Sequence, residues 1–191
     1  MTPNTRKSSL WRFRGRLTPV LVAVGLVLGV SAPARSETIA QVGFSPDSPE
    51  DSARVLVLSV IDAAKSQIRM LSYSFTARDI VDALIRAKGR GVDVMLVVDE
   101  KGNRDNYSQK ALRAVASAGI PVRLDSHYAI QHDKTIITDG VNVETGSFNF
   151  TDSAEKRNSE NALVIWNLPS LAKDYLAHWQ SRWDWGRPFV P

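Results

Sequence analysis

The feature of the sequence that most constrains the fold is an alternation of strand-like and helix-like apolar patterns between residues 55 and 124. Residues 68–75 alternate as a strand does, and residues 92–98 (VDVMLVV) form a strongly apolar strand pattern. Apolar residues at helical spacing lie before, between and after these segments, and Gly119 ends the last of the helical patterns. Because strand, helix and strand in succession build parallel sheets, the alternation predicts βαβ units.

The last third of the sequence has a different pattern. Asp139 and Gly140, a pair typical of a two-residue hairpin turn, divide the strand-like stretch 135–145 into two short strands. Residues 162–166 form a further strand pattern, and an amphipathic helix is predicted to begin at Pro169. The predicted fold class is α/β, with a mixed, largely parallel sheet flanked by helices on both faces.

Residues 1–36 differ in composition from the rest of the chain. Five Lys and Arg side chains and no acidic one precede an apolar run of 12 residues, 19–30. A membrane-spanning helix needs about 20 residues, so this run favours the core of a signal peptide over an uncleaved anchor, which is the alternative. The small residues that follow predict cleavage after Ala34 or Ser36, and therefore a periplasmic or secreted protein with a single domain, residues 37–191.

The predicted leader changes the meaning of the net charge. The whole chain has 24 basic and 20 acidic residues, a net charge of +4, but six of the basic residues and none of the acidic ones lie in residues 1–36. Without them, 18 basic residues stand against 20 acidic ones, a net charge of −2. Overall basicity therefore does not indicate a nucleic-acid partner, and any such surface must be a local patch. The chain has no cysteine, which excludes a thiol nucleophile and thiolate metal ligands.

Four polar residues around the predicted hairpin can meet on one face of the sheet. His132 and Lys134 are two residues apart, as are Ser147 and Asn149, and side chains at i and i+2 of a strand share a face. A hairpin brings the two pairs side by side. An imidazole can attack phosphorus, while an ammonium, a hydroxyl and an amide can donate hydrogen bonds to charged oxygens. The combination indicates a site for phosphodiester chemistry.

At these positions the sequence resembles the phospholipase D superfamily. The HKD motif of that superfamily and the glycine-containing segment after it are matched by His132, Lys134, Asp139, Gly146, Ser147 and Asn149. Longer stretches, including IQHDKTIITD and VETGSFNFT, are similar to the small periplasmic Nuc-type endonucleases of the superfamily. The resemblance covers essentially the whole chain after the leader, and it implies a phospholipase D/nuclease-like fold.

The resemblance also implies a mechanism. Enzymes of this superfamily use two HKD motifs in each active site: one histidine forms a covalent phosphohistidine, and the other protonates the leaving oxygen and then activates water. This chain has one motif, so a homodimer is implied in which His132 of each subunit meets at a two-fold axis. Glu160 matches the family's late glutamate, which orients the histidine. The remaining matched residues would bind phosphate (Lys134, Ser147 and Asn149) or support the backbone (Asp139 and Gly146).

The function expected from the resemblance is a phosphodiester hydrolase that needs no metal or cofactor, and in particular a non-specific DNA endonuclease, with RNA as a second candidate substrate. A phospholipase D acting on phosphatidylcholine-type lipids is one alternative, because the chemistry is the same. A metal-dependent nuclease is another, because Asp99, Glu100 and Lys101 place a carboxylate-x-lysine pattern at the end of a predicted strand. A non-enzymatic binding protein is the third. His127 and His178 are interpreted as structural or solvated, since neither lies within the motif.

Overall fold

The computed structural model describes residues 37–46 and 52–191, in which one sheet of eight strands is accompanied by five α-helices. The strands are β1 (Ile39–Ser45), β2 (Gln67–Ser72), β3 (Asp93–Asp99), β4 (Val122–Asp125), β5 (Lys134–Thr138), β6 (Asn142–Gly146), β7 (Glu160–Trp166) and β8 (Arg187–Pro188). The helices are α1 (Ala53–Ala63), α2 (Arg78–Gly89), α3 (Asn106–Ser117), α4 (Asp152–Lys156) and α5 (Pro169–Trp185). The predicted leader lies outside the described residues, and no helix within them is long and apolar enough to cross a membrane.

The sheet is mixed, as predicted, with the strand order β1-β7-β6-β5-β2-β3-β4-β8. The helix-linked strands β2, β3 and β4 pair in parallel, as the alternation of patterns predicts. The other five pairings are antiparallel, so the sheet is less parallel than expected. For the pair formed by β5 and β6, the physical reason is the length of the connection. A parallel pair needs a crossover of about a dozen residues or more, and the tight link between β5 and β6 permits only an antiparallel pair.

Helices cover both faces of the sheet, which confirms the predicted architecture. Met70 of β2 packs into a core shared with α1, α2 and α3, whereas the next residue, Leu71, packs into a second core under α5. Ile136 and Ile137 of β5 divide between the two cores in the same way. Because both faces of these strands are buried, their sequences are apolar at consecutive positions.

The predicted hairpin turn is present, with a difference in register. Asp139 and Gly140 have positive φ angles of 55° and 66°. The amide of Val141 donates to the carbonyl of Thr138 at 3.1 Å, as in a two-residue turn. The ladder beyond the turn nevertheless pairs Thr138 with Asn142, so that Val141 is an extra residue outside the ladder. This offset of one residue exchanges the faces on which the side chains of β6 lie.

Asp139, the aspartate of the HKD motif, ties this turn to the segment between α1 and β2. Its carboxylate accepts hydrogen bonds from the backbone amides of Lys65, Ser66 and Gln67 at 2.7 to 3.2 Å, and from the Ser66 hydroxyl at 2.8 Å. Partial burial acts to raise the pKa of Asp139, but the hydrogen bonds outweigh it and the pKa lies below its usual value. The structure therefore places this residue in a supporting position.

A glutamate, Glu144, is fully buried in the middle of β6, opposite Ile136 on one side and Val164 on the other. Neither of its carboxylate oxygens has a hydrogen-bond partner among the described residues. Burial raises the pKa of Glu144 well above its usual value, because the charged form would be left without water.

Replacing Glu144 with glutamine is expected to stabilise the protein at neutral and alkaline pH. The raised pKa means that the folded state holds this proton more tightly than the unfolded state. The contribution of protonated Glu144 to the free energy of unfolding is therefore complete below the unfolded-state pKa, and it is lost as pH rises through the folded-state pKa. Urea unfolding of Glu144→Gln should show about 1–3 kcal/mol of added stability at pH 8 and little at pH 4.5. The exposed Asp174→Asn variant is the control, and an equal gain in Glu144→Gln at both pH values would contradict the account.

Candidate active site

His132 and Lys134 lie where a loop, residues 126–133, enters β5. The side chain of His132 is exposed, whereas Lys134 is buried. The ammonium of Lys134 donates a hydrogen bond to the carbonyl of His132 at 2.7 Å. Burial lowers the pKa of Lys134, and the carboxylates of Glu160 and Asp133 act in the opposite direction. The site thus combines an accessible imidazole with a desolvated lysine.

Ser147 and Asn149 reach the same site through a bulge after β6. The amides of Ser147 and Phe148 both donate to the carbonyl of Asn161, at 3.0 and 3.1 Å. Two residues opposite one define a β-bulge, which re-aims the side chains that follow it. The bulge compensates for the offset at the hairpin turn. The four polar residues therefore come together as predicted, but by two local irregularities instead of simple alternation across the hairpin.

Gly146 is required by the close approach of β6 to β7 at the start of this bulge. A Cβ atom at this position would overlap the carbonyl oxygen of Asn161 and lie 3.0 Å from the Cα of Ala162. Both obstacles are backbone atoms, which cannot move aside without disturbing the sheet. Glycine therefore supports the geometry of the site, as the sequence interpretation expected of a structural residue.

An open cavity of about 520 Å³ gathers the polar side chains, and it is lined by His132, Lys134, Gly146, Ser147, Asn149 and Glu160. The Ser147 hydroxyl accepts a hydrogen bond from the amide of Asn161 at 3.0 Å, which leaves its own proton able to donate to a ligand. The side-chain oxygen of Asn149 is buried and has no partner in the described part of the chain. An amide oxygen only accepts, so it is the amide nitrogen of Asn149 that can donate a hydrogen bond to a charged oxygen of a ligand.

Glu160 lines the cavity from the first position of β7. Its carboxylate accepts a hydrogen bond from the side-chain amide of Asn158 at 3.0 Å. No hydrogen bond joins Glu160 to His132 within residues 37–46 and 52–191 of a single chain. The role of Glu160 in orienting the imidazole therefore stays a prediction.

Tyr73 is a site residue that the sequence analysis did not identify. Its ring lies 4.8 Å from the imidazole of His132, centroid to centroid, and the ammonium of Lys134 lies 5.3 Å from its centroid. The carbonyl of Tyr73 accepts a hydrogen bond from the side chain of Asn103 at 2.7 Å. Tyr73 follows directly after β2, and that position at the carboxyl end of a central strand was the available signal.

The segment Asp99-Glu100-Lys101 does not form the centre that the metal-dependent alternative requires. The carboxylate of Asp99 accepts hydrogen bonds from the amides of Gly102 and Gln131, at 2.6 and 2.8 Å, and Glu100 forms ion pairs with two arginines. No group of three or more His, Asp or Glu side chains suited to a metal is found where the structure describes the chain. The hydrogen bond from Gln131 to Asp99 instead attaches the loop before β5 to the end of β3.

His127 and His178 have partners that the sequence did not reveal. A ring nitrogen of His178 lies 3.2 Å from a carboxylate oxygen of Asp133. The ring of His127 stacks on Trp185, with centroids 3.9 Å apart. Both contacts join the loop before β5 to α5.

Comparison with known proteins agrees with the fold and the motif positions. A family model described as cardiolipin synthase, PLD-like domain, matches residues 57–183. The crystal structure of Nuc from Salmonella typhimurium, a phospholipase D family member, is 59% identical in sequence. It superposes with a TM-score of 0.78 over 81% of this chain and 100% of the Nuc chain. The fold of Nuc is therefore shared by the described domain.

Two curated relatives have different names. A phospholipase D from Rickettsia bellii is 38% identical over 71% of this chain and 66% of its own length. A mitochondrial cardiolipin hydrolase from Xenopus tropicalis is 31% identical over 70% of this chain and 62% of its own length. The matches thus span just under two thirds of each of these relatives. The family model, the structural match and the HKD residues together show that the chain belongs to the phospholipase D superfamily of phosphodiesterases.

Proposed function

We propose that the protein is a metal-independent endonuclease that hydrolyses DNA and RNA through a covalent phosphohistidine. The observation that best supports this proposal is that one cavity is lined by an imidazole, an ammonium, a hydroxyl, an amide and a carboxylate. Phosphoryl transfer depends chiefly on positioning and on stabilisation of charge, and these groups supply both. The exposed position of His132 suits a substrate that is a polymer and cannot enter a closed pocket.

In the proposed first step, a ring nitrogen of His132 attacks phosphorus, and the bond from phosphorus to the leaving oxygen breaks. The leaving oxygen takes a proton from a second imidazole. Lys134 and Asn149 donate hydrogen bonds to the non-bridging oxygens, and the burial of Lys134 strengthens its attraction for the phosphate. In the second step, the second imidazole takes a proton from water, which attacks phosphorus and releases His132.

The second imidazole in this proposal is the same histidine of a second copy of the chain. One HKD motif is present in the sequence, and a complete site needs two imidazoles with different protonation states. An isologous dimer supplies both, because a residue near the two-fold axis meets its own copy. The openness of the cavity beside His132 leaves room for the second subunit and for the substrate.

Nucleic acid is favoured over phospholipid by exposed basic residues that precede Glu160 in the chain. Lys156 and Arg157 are exposed and lie on the segment that leads into Glu160. A nucleic-acid backbone carries phosphates on both sides of the scissile bond and gains affinity from such flanking cations. The names of the relatives from Rickettsia bellii and Xenopus tropicalis keep phospholipase D as the second candidate.

We also propose that the protein acts outside the cytoplasm. The basic and apolar pattern of residues 1–36 supports export by a cleaved signal peptide. N-terminal sequencing of protein from the periplasmic fraction should find chains that begin at Arg35 or Glu37, and recovery of only the full-length chain in the membrane fraction would contradict the proposal.

Parallel assays in excess EDTA test the proposed function. The same purified protein is given supercoiled plasmid, single-stranded RNA and phosphatidylcholine vesicles. We expect nicking of the plasmid and cleavage of the RNA at undiminished rates in EDTA, with little release of choline, because the site holds its own cation in Lys134. Loss of all activity on chelation would contradict metal independence. Release of choline with intact nucleic acid would replace the endonuclease by a phospholipase D.

A further inference from the structure

We propose that the end of α5 and the loop before β5 form a subsite on which bases of a single-stranded nucleic acid stack, beside the scissile phosphodiester. The inference deepens the endonuclease function proposed above and rests on it. The subsite, which we call the aromatic stripe, consists of His127, Tyr128, Arg182 and Trp185.

The stripe arises because the loop lies along one face of α5. Helix residues 178, 182 and 185 are separated by four and three positions, which places them on one side of the helix. They contact the loop in reverse chain order. The contacting pairs are His178–Asp133 at 3.2 Å, Arg182–Tyr128 with the guanidinium carbon 4.9 Å from the ring centroid, and Trp185–His127 with stacked rings 3.9 Å apart.

The row of contacts between α5 and the loop continues beyond the stripe toward His132. Its last member is the His178–Asp133 pair, and Asp133 directly follows His132 in the chain. The seven residues from His178 to Trp185 correspond to about 10 Å of helix. Phosphates of one strand advance by about 3.4 Å along a duplex and by more in an extended single strand, so this length spans at most about three nucleotides. In the proposed complex, the bases that adjoin a phosphodiester bound at His132 follow this row of contacts to the rings of the stripe.

Two of the three rings of the stripe are exposed, although each of them covers one face of the other. The side chain of Trp185 is 58% exposed, and His127 is also exposed. The ring of Tyr128 lies edge-on to that of His127, with centroids 4.8 Å apart. Exposed aromatic side chains in line with a phosphodiester site are typical of proteins that bind single strands, because every base has a face that can stack.

Arg182 supplies a cation to the same surface. Its Nη1 donates to the hydroxyl of Ser181 at 2.7 Å, and its Nε is buried without a hydrogen-bond partner among the described residues, so a phosphate can meet only the outer Nη atoms. Asp184, the acidic residue of this last turn, accepts a hydrogen bond from Gln180 on the neighbouring helix face. The arginine is therefore able to pair with a phosphate while its plane rests on Tyr128.

A comparison of normal and abasic oligonucleotides tests the stripe. The substrates are a single-stranded DNA 20-mer and a 20-mer of the same backbone without bases, each cleaved by wild-type protein and by Trp185→Ala. On the normal 20-mer we expect the KM of Trp185→Ala to rise about 5- to 50-fold with little change in kcat. On the abasic 20-mer the penalty should shrink to less than about twofold, because no base is left to stack.

Two further variants separate stacking from other causes. Trp185→Phe should keep the KM within about threefold of wild type, since a phenyl ring still stacks. Arg182→Ala should weaken cleavage of both oligonucleotides by a similar factor and reduce the dependence of binding on salt. Ile39→Ala is the control. Ile39 is 48% exposed and pairs with Trp166, the last residue of β7, whereas Glu160 of the active site is the first residue of that strand.

Each outcome tests either the stacking subsite or the proposed endonuclease function. An unchanged KM in Trp185→Ala, or an equal rise on both oligonucleotides, would overturn the stacking subsite. A loss of phosphatidylcholine hydrolysis in Trp185→Ala with normal DNA cleavage would instead make the stripe a lipid-facing surface. If wild-type protein cleaved neither oligonucleotide nor plasmid, the endonuclease proposal itself would fail, which distinguishes that failure from a failure of the stripe alone.

Discussion

Replacement of His132 by alanine is expected to lower kcat on plasmid DNA by about 10⁴-fold or more. A dimer of the variant lacks the histidine that attacks phosphorus. It also lacks the second histidine, which protonates the leaving oxygen and then activates water. Because the side chain is exposed, its removal leaves no buried cavity, and the melting temperature should stay within about 2 °C of wild type. Single-turnover nicking assays in EDTA, together with thermal melts, provide the measurement.

The control for this variant is Lys173→Ala, which removes an exposed side chain near the start of α5, at the opposite end of that helix from the contacts with the loop. It should nick plasmid at the wild-type rate. Full hydrolysis by His132→Ala would show that another residue attacks phosphorus. A lower activity accompanied by a collapse of the melting transition would show that His132 is needed for the fold.

Dilution of wild-type subunits with inactive ones is the second prediction with a large expected effect. If one site needs His132 from two subunits, a mixed dimer lacks either the nucleophile or the acid. With a tenfold excess of His132→Ala subunits, the activity per wild-type subunit should fall to about a tenth, since about nine in ten wild-type subunits then have an inactive partner.

The two forms are co-expressed with different tags, and native mass spectrometry measures the fraction of mixed dimers. Co-expression with tagged wild-type subunits is the control and should leave the activity per subunit unchanged. Full activity in a preparation rich in mixed dimers would show that each subunit contains a complete site. A monomer that is active at the concentrations used would do the same.

The central parallel unit could be predicted from the sequence because its signals are local. The apolar strand patterns of β2 and β3 and the helical pattern between them specify a βαβ unit without knowledge of distant contacts. The helix α4 has five residues, too few for a periodic pattern, and β8 has two. Such elements form because neighbours are already in place, and the sequence alone could not indicate them.

The residues of the site could be predicted, but the way in which they meet could not. The equal spacing within the pairs His132–Lys134 and Ser147–Asn149 indicated a common face. That interpretation assumed an uninterrupted two-residue hairpin. The extra residue at Val141 and the bulge at Ser147 each shift the strand by one, and both depend on pairing with neighbouring strands.

Asp99 and Tyr73 show a second limit of sequence-based prediction. In the sequence, a carboxylate at the end of a buried strand has the same pattern whether it binds a metal or accepts hydrogen bonds from a loop. Its hydrogen bonds to Gly102 and Gln131 are contacts that only the folded chain reveals. Tyr73 lies in the sequence far from His132, and its approach to the imidazole depends on the pairing of β2 with β5.

Direct detection of the covalent intermediate tests the central claim that His132 is the nucleophile of a metal-independent phosphodiesterase. Wild-type protein turning over a short oligonucleotide in excess EDTA is quenched with alkaline denaturant, and peptides are examined by mass spectrometry. We expect an oligonucleotide fragment linked through phosphorus to the peptide that contains His132, and no such adduct in His132→Ala. An adduct on any other residue, or active protein in which none forms at any time of quenching, would contradict it.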